Sequence, residues 1–338
     1  MRRWSGFCAV AIVLLAARVD AQVVCGAVLG PGGSFVATAD VGPCGVGVDP
    51  ALTIIGPVEV DFAGFRVNCD LDGVDGIAIE GKGAEVSNGS VTRCLTGVRV
   101  AGEGKHEITQ MEAEENEDDG FVVESDGNKL EHNLARENGR FSAIQGDGFE
   151  VTGDKNTLTE NWSTRNGKNG FDVDGEGCKL TGNIAAVNEE VGIKSDGAKG
   201  KFKENTAGAN ERSGFAVTSN STFTKELSSG NDGDTVAHGF FLNGAMGAKL
   251  TRGVAVGNQG SGYSLFSTAS VARIGKAVAL GNEQSGVAIT DGSTDNSVKG
   301  STAIGNGNVD LFDGNADCAT TTWSKNRFGH ADPAACID

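Results

Sequence analysis

A glycine, an apolar residue, a free position and a second apolar residue recur together through most of this 338-residue chain. The motif reads Gly76-Ile77-Ala78-Ile79, Gly97-Val98-Arg99-Val100, Gly120-Phe121-Val122-Val123, Gly148-Phe149-Glu150-Val151 and Gly170-Phe171-Asp172-Val173. It continues at Gly192-Ile193, Gly214-Phe215, Gly239-Phe240, Gly262-Tyr263 and Gly286-Val287, and ends at Asn308-Val309-Asp310-Leu311 with asparagine in the glycine place. From Gly76 to Asn308, ten steps cover 232 residues, a mean of 23.2, with single steps of 21 to 28. A sustained period of this length marks a solenoid. Each unit also carries an apolar residue, an asparagine, a small residue and a second asparagine, as in Leu180, Asn183, Ala185 and Asn188. Such short period-two runs, bounded by Gly and Asn, read as strands joined by tight turns where those residue types tolerate left-handed backbone angles.

About 23 residues in two or three short strands make one turn of a parallel β-helix, since a leucine-rich repeat needs its own leucine frame and a propeller blade is nearly twice as long. The expected fold is therefore all-β, a solenoid of about 10 to 12 coils, with rungs about 4.8 Å apart and like residues stacked on like. Phe121, Phe149, Phe171, Phe215, Phe240 and Tyr263 should form an internal column, and nine turn asparagines from Asn116 to Asn306 a ladder. The long steps Gly120 to Gly148 and Gly214 to Gly239 should bulge as loops, the first around residues 140–145. Solenoid ends expose strand edges and need covers. Residues 22–65 are expected to cap the N-terminal end, 66–311 to hold the repeats and 312–338 to cap the other end.

Arg2 and Arg3 precede an apolar run, and Val19-Asp20-Ala21 resembles a cleavage site, so residues 1–21 are expected to be an export signal and the protein secreted, periplasmic or on the cell surface. Seven cysteines then face an oxidising compartment. Cys25 with Cys44, Cys69 with Cys94 and Cys318 with Cys336 are the expected disulfides, and the middle pair, 25 residues apart, should stand on adjacent coils. Cys178 is left over and expected as a buried, inert thiol. The 28 basic and 45 acidic residues give a formal charge of −17, which argues against nucleic acid and anionic membrane surfaces as partners. No other segment has transmembrane length. A monomer is expected.

The frame from Gly76 to Asn308 resembles the right-handed parallel β-helix repeat proteins of the pectin lyase-like superfamily, and Asp317-Cys318 through Asn326-Arg327-Phe328 with Cys336 looks like the closing segment of its secreted bacterial members. The resemblance implies the handedness. That superfamily includes pectate lyases, polygalacturonases, alginate lyases and epimerases, and many surface proteins. The polygalacturonase motifs appear only as scattered fragments, Asp118-Asp119, Ala237-His238-Gly239 and Arg273-Ile274-Gly275-Lys276, and the epimerase and pectate lyase signatures have no counterpart. Catalytic residues are not assigned.

Outward positions stack as inward ones do. Counting from each glycine brings Glu150, Asp172, Asp174, Lys194 and Asp196 together on three neighbouring coils. Carboxylates about one rung apart raise one another's pKa unless a cation lies between them. This face is the candidate ligand or ion site, with calcium the ion considered and no cofactor otherwise expected. Its rival reading is a solvated charged surface that blocks lateral sheet pairing. The run Glu112, Glu114, Glu115, Glu117, Asp118 and Asp119 reads as a solubility feature. His106, His132, His238 and His330 form no ligand set, and His238 should cap a turn. The preferred function is polysaccharide binding along the charged face, with cleavage a weaker extension. The alternative is a non-catalytic surface, envelope or adhesive protein in which the stack is a stiff spacer. A metal-handling accessory role lacks its histidine or methionine cluster.

Overall fold

The computed structural model describes residues 18–45, 47–70, 73–140, 145–318, 320–335 and 337. Residues 1–17, most of the expected export signal, lie outside them. Arg18–Ala21, the remainder of that segment, pair in parallel with Ser34–Ala37.

From Gly120 onward each repeat folds as three short strands, whereas in the two coils before it a single strand, Glu85–Thr92 or Glu107–Glu114, takes the place of the second and third. Phe121–Val123, Lys129–Glu131 and Leu134–Arg136 make one coil, and Phe171–Val173, Lys179–Thr181 and Ile184–Ala186 another. The first strand of every coil joins a 14-stranded parallel sheet, and the others join a 24-stranded one. Ten strands of the first sheet lie between residues 66 and 311, and an eleventh, Leu311–Asp313, begins at that boundary, as the period requires. The ladders also run on into both expected caps, from Ala27–Leu29 at one end to Ala331–Asp332 at the other.

Like stacks on like inside the coil. The rings of Phe121, Phe149 and Phe171 lie parallel at 4.7 Å, as do those of Phe215, Phe240 and Tyr263, with Ile193 between the two stacks. The asparagine ladder runs from Asn116 to Asn306, each Oδ1 accepting the backbone N–H and the Nδ2–H of the rung before. A second ladder joins Asn133, Asn161, Asn183 and Asn205. Each rung supplies donors that a buried turn would otherwise leave unpaired.

Two details of the sequence reading change. None of the repeat glycines has a left-handed φ; that conformation falls on the residues just before the ladder asparagines, such as His132, Glu160, Arg165 and Val187. The glycines serve close approach instead. A Cβ on Gly170 would lie 2.5 Å from the Gly192 carbonyl oxygen and 2.7 Å from the Ala185 Cβ. In the last full repeat Leu311, not Val309, pairs with Val287, so Asp310 and not Asn308 holds the glycine place. Asp310 accepts from Asn306, Gly329 and His330 and so ends the asparagine ladder, which an exposed Asn308 could not do.

Cys25–Cys44 and Cys69–Cys94 are disulfides, the second with a Cα separation of 4.7 Å across adjacent coils. Cys318 is also disulfide-bonded, and its expected partner Cys336 lies outside the described residues. Cys178 is buried, and burial pushes its thiol up to about 11, which keeps it protonated and inert. The tip of the first expected loop, residues 141–144, is not described; the second, between Leu227–Ser229 and Phe240–Asn243, carries no strand.

Candidate functional site

The outward face of the 14-stranded sheet brings the five candidate residues together. Glu150, Asp172 and Lys194 stand in register on consecutive strands. Asp172 is buried beneath Lys194, whose Nζ lies 3.1 Å from both Asp172 oxygens and 2.9 Å from Asp196. Asn169 Nδ2 also donates to Asp172, and the Thr218 hydroxyl donates to Asp196 at 2.6 Å. Burial opposes a charged Lys194, yet its contacts to Asp196 and Asp172 hold its pKa above the ordinary range. Burial and neighbouring carboxylates raise Glu150 and Asp174. Asp172, Asp174 and Asp196 each offer an oxygen within 4.8 Å of the others, and Lys194 is the counter-charge they already have.

Further carboxyls adjoin this cluster. Asp119 and Asp147 occupy the slot before the repeat glycine, where each accepts a backbone N–H from the next coil. Burial pushes Asp119 up to about 8 and Asp147 up to about 6, the latter opposed by Lys168 at 2.8 Å. Asp119 is therefore no member of a solvated acidic run, because its carboxyl is spent on the coil above. Glu112 and Glu114 of that run pair with Arg136. His132 pairs with Glu160 at the surface.

From the Asp172 cluster a groove of about 1030 Å³ extends along the same face to Asp332. Its far part is aromatic. Phe241 stacks on His238 with ring centres 5.2 Å apart, Phe266 lies 5.9 Å from Phe241 at 40°, and Phe312 lines the groove beyond. Thr235 and Val236 of the second long loop line it as well. His238 caps the turn as expected, its Nδ1 accepting from Ser261 N–H. Burial lowers its pKa to about 4, so at neutral pH the ring is uncharged and carries its proton on Nε2. The sequence reading did not single out Phe241 or Phe266; they occupy the same second and fourth positions after glycine as Asp172 and Asp174, three and four coils on.

Coils, ladders and register decide the architecture, and the family model described as "Right handed beta helix region" matches residues 60–185. The chain folds as a right-handed parallel β-helix. No curated protein matches this β-helix in sequence. Among solved structures it resembles the Dettilon tailspike protein at 14% identity and TM-score 0.57, over 93% of this chain and 63% of the tailspike. It also resembles the A-module of the Azotobacter vinelandii mannuronan C-5 epimerase AlgE6, at 16% identity and TM-score 0.53, over 92% of this chain and 88% of the module. The Streptococcus pneumoniae surface adhesin PfbA matches at 7% identity and TM-score 0.56, over 79% and 82% of the two chains. Likeness at these identities concerns the fold.

Proposed function

We propose that this β-helix is an exported protein that binds a polysaccharide along the groove of its 14-stranded sheet. The observation that carries the proposal is the groove's composition: a charged, hydrogen-bonding end at Asp172, Lys194 and Asp196, continued by the Phe241 and Phe266 rings. Sugar rings present apolar C–H faces to aromatic side chains and hydroxyls to carboxylates, amides and ammonium groups, and an elongated groove accommodates several units. Disulfides fit an oxidising compartment outside the cytosol. Tailspike and mannuronan epimerase structures share the architecture, which supports a glycan as the ligand class. Among the described residues no helix is long and apolar enough to cross a membrane.

Calcium belongs to the same proposal as a bridge between Asp172, Asp174, Asp196 and an acidic sugar, and its entry would displace the Lys194 ammonium. A glycan array probed with the whole protein, with calcium and with a chelator, tests both parts. The expected result is binding that Phe241→Ala plus Phe266→Ala reduces at least tenfold, with a calcium dependence that Asp172→Ala plus Asp174→Ala removes. An empty array contradicts the binding reading, and binding indifferent to calcium and chelator contradicts the bridge.

A further inference from the structure

One side of this acidic molecule is basic. In each coil the first strand of the 24-stranded sheet turns two side chains outward around a buried residue, such as Phe202 or Leu250, and a turn residue follows. Strand pairing stacks the first outward positions as Lys179, Lys201, Thr222, Lys249 and Arg273. The second outward positions stack as Thr181, Lys203, Thr224, Thr251, Gly275 and Lys299. Beside them the left-handed turn residues Lys225, Arg252 and Lys276 make a third column. All nine basic residues are exposed. Glu204 is the one carboxylate in these columns, and it pairs with Lys203 and Lys225. Among the described residues, no carboxylate lies within 4.0 Å of the charged groups of Lys179, Lys201, Lys249, Arg252, Arg273, Lys276 or Lys299.

Like charges directly opposite one another on paired strands destabilise a sheet. Lys179 over Lys201 and Lys249 over Arg273 are such pairs, in a chain with 45 acidic residues to place elsewhere. An anionic ligand lying along the columns would relieve that repulsion. We infer that this face docks a linear acidic polysaccharide, separately from the groove on the other sheet. Strand pairing sets the columns in register, with rungs about 4.8 Å apart, so a thread-like polymer with a charge on each repeating unit follows them. Threonine hydroxyls interleave with the cations and suit a sugar's hydroxyls. The columns hold no aromatic ring on which a nucleobase could stack and no large apolar side chain to enter a bilayer. A thread also stays within a Debye length, about 8 Å, of these cations, where the acidity of the remaining surface is screened.

The test is binding of the full chain to immobilised polygalacturonate and heparin, with single-stranded DNA and phosphatidylglycerol vesicles as competitors. The expected result is retention that weakens as salt rises, drops about tenfold or more in Lys201→Glu plus Arg273→Glu, and drops less in Lys201→Gln plus Arg273→Gln. With a chelator present to prevent a calcium bridge in the groove, and with Phe241→Ala plus Phe266→Ala as the background, the salt-sensitive retention should persist and still drop on adding Lys201→Glu plus Arg273→Glu, which separates this face from the groove. Circular dichroism on each variant confirms the fold. No retention at low salt, retention lost only in the groove variant, or stronger competition by DNA or vesicles than by free polysaccharide each overturns the inference.

Discussion

Glu226 stands where the four preceding coils carry Asn133, Asn161, Asn183 and Asn205, and it accepts the Asn205 and Thr224 N–H groups as the top of that ladder. Burial pushes its carboxyl up to about 8, against the lowering effect of those hydrogen bonds. The folded pKa lies above the unfolded value near 4.3, so the folded chain holds a proton that the unfolded chain has lost. The stability this neutral group contributes is full below about pH 4 and is lost as pH rises through about 8. Asp119 acts in the same direction. Glu226→Gln keeps the acceptor without the charge. Thermal scans should show a higher midpoint than the parent at pH 9, little difference at pH 5, and a residual slope from Asp119. At the same scale Phe171→Ala, which empties a rung stacked at 4.7 Å on Phe149, should lower stability by about 3 to 5 kcal/mol in urea titration. Both inward choices were readable from period alone for the phenylalanines. Glu226 was not, because its glutamate breaks the asparagine pattern and nothing in the local sequence says that the position is buried.

Strands of three residues have little stability of their own; pairing with the coils above and below supplies it. The glycine place shows how tight that stacking is. Gly170→Ala puts a Cβ into the Gly192 carbonyl at a residue with an ordinary backbone angle, so the variant should lose about 1 to 3 kcal/mol by overpacking, measurable by the same urea titration. A variant as stable as the parent would show that the coils have slack. The spacing made strand positions and the Cys69–Cys94 bridge legible, because one residue slot per coil becomes one column. It misplaced the last copy by two residues, since Asn308 mimics the motif by sequence while Asp310 carries the hydrogen bonds that the slot requires.

Charge is sorted across the whole solenoid. A total of −17 read as a uniform property argues against nucleic acid and anionic membranes as partners, but the registers gather nine cations on one face and leave acids and aromatic rings along another. Total charge could not reveal this, whereas column counting could have done so once the strand positions were known. The charged end of the groove was legible in that way. Its aromatic continuation needed the same count carried three coils further, and its wall needed the long loop before Phe240. The sorted surface makes the solenoid two-sided, with hydrogen-bonding and stacking chemistry on one sheet and ion pairing on the other. The most direct measurement is a crystal structure with an oligosaccharide selected on the array. The account predicts sugar units lying along the 14-stranded sheet between Asp172 and Phe312, one ring packed against Phe241 or Phe266. An oligosaccharide bound elsewhere, with that groove holding only water, would contradict it.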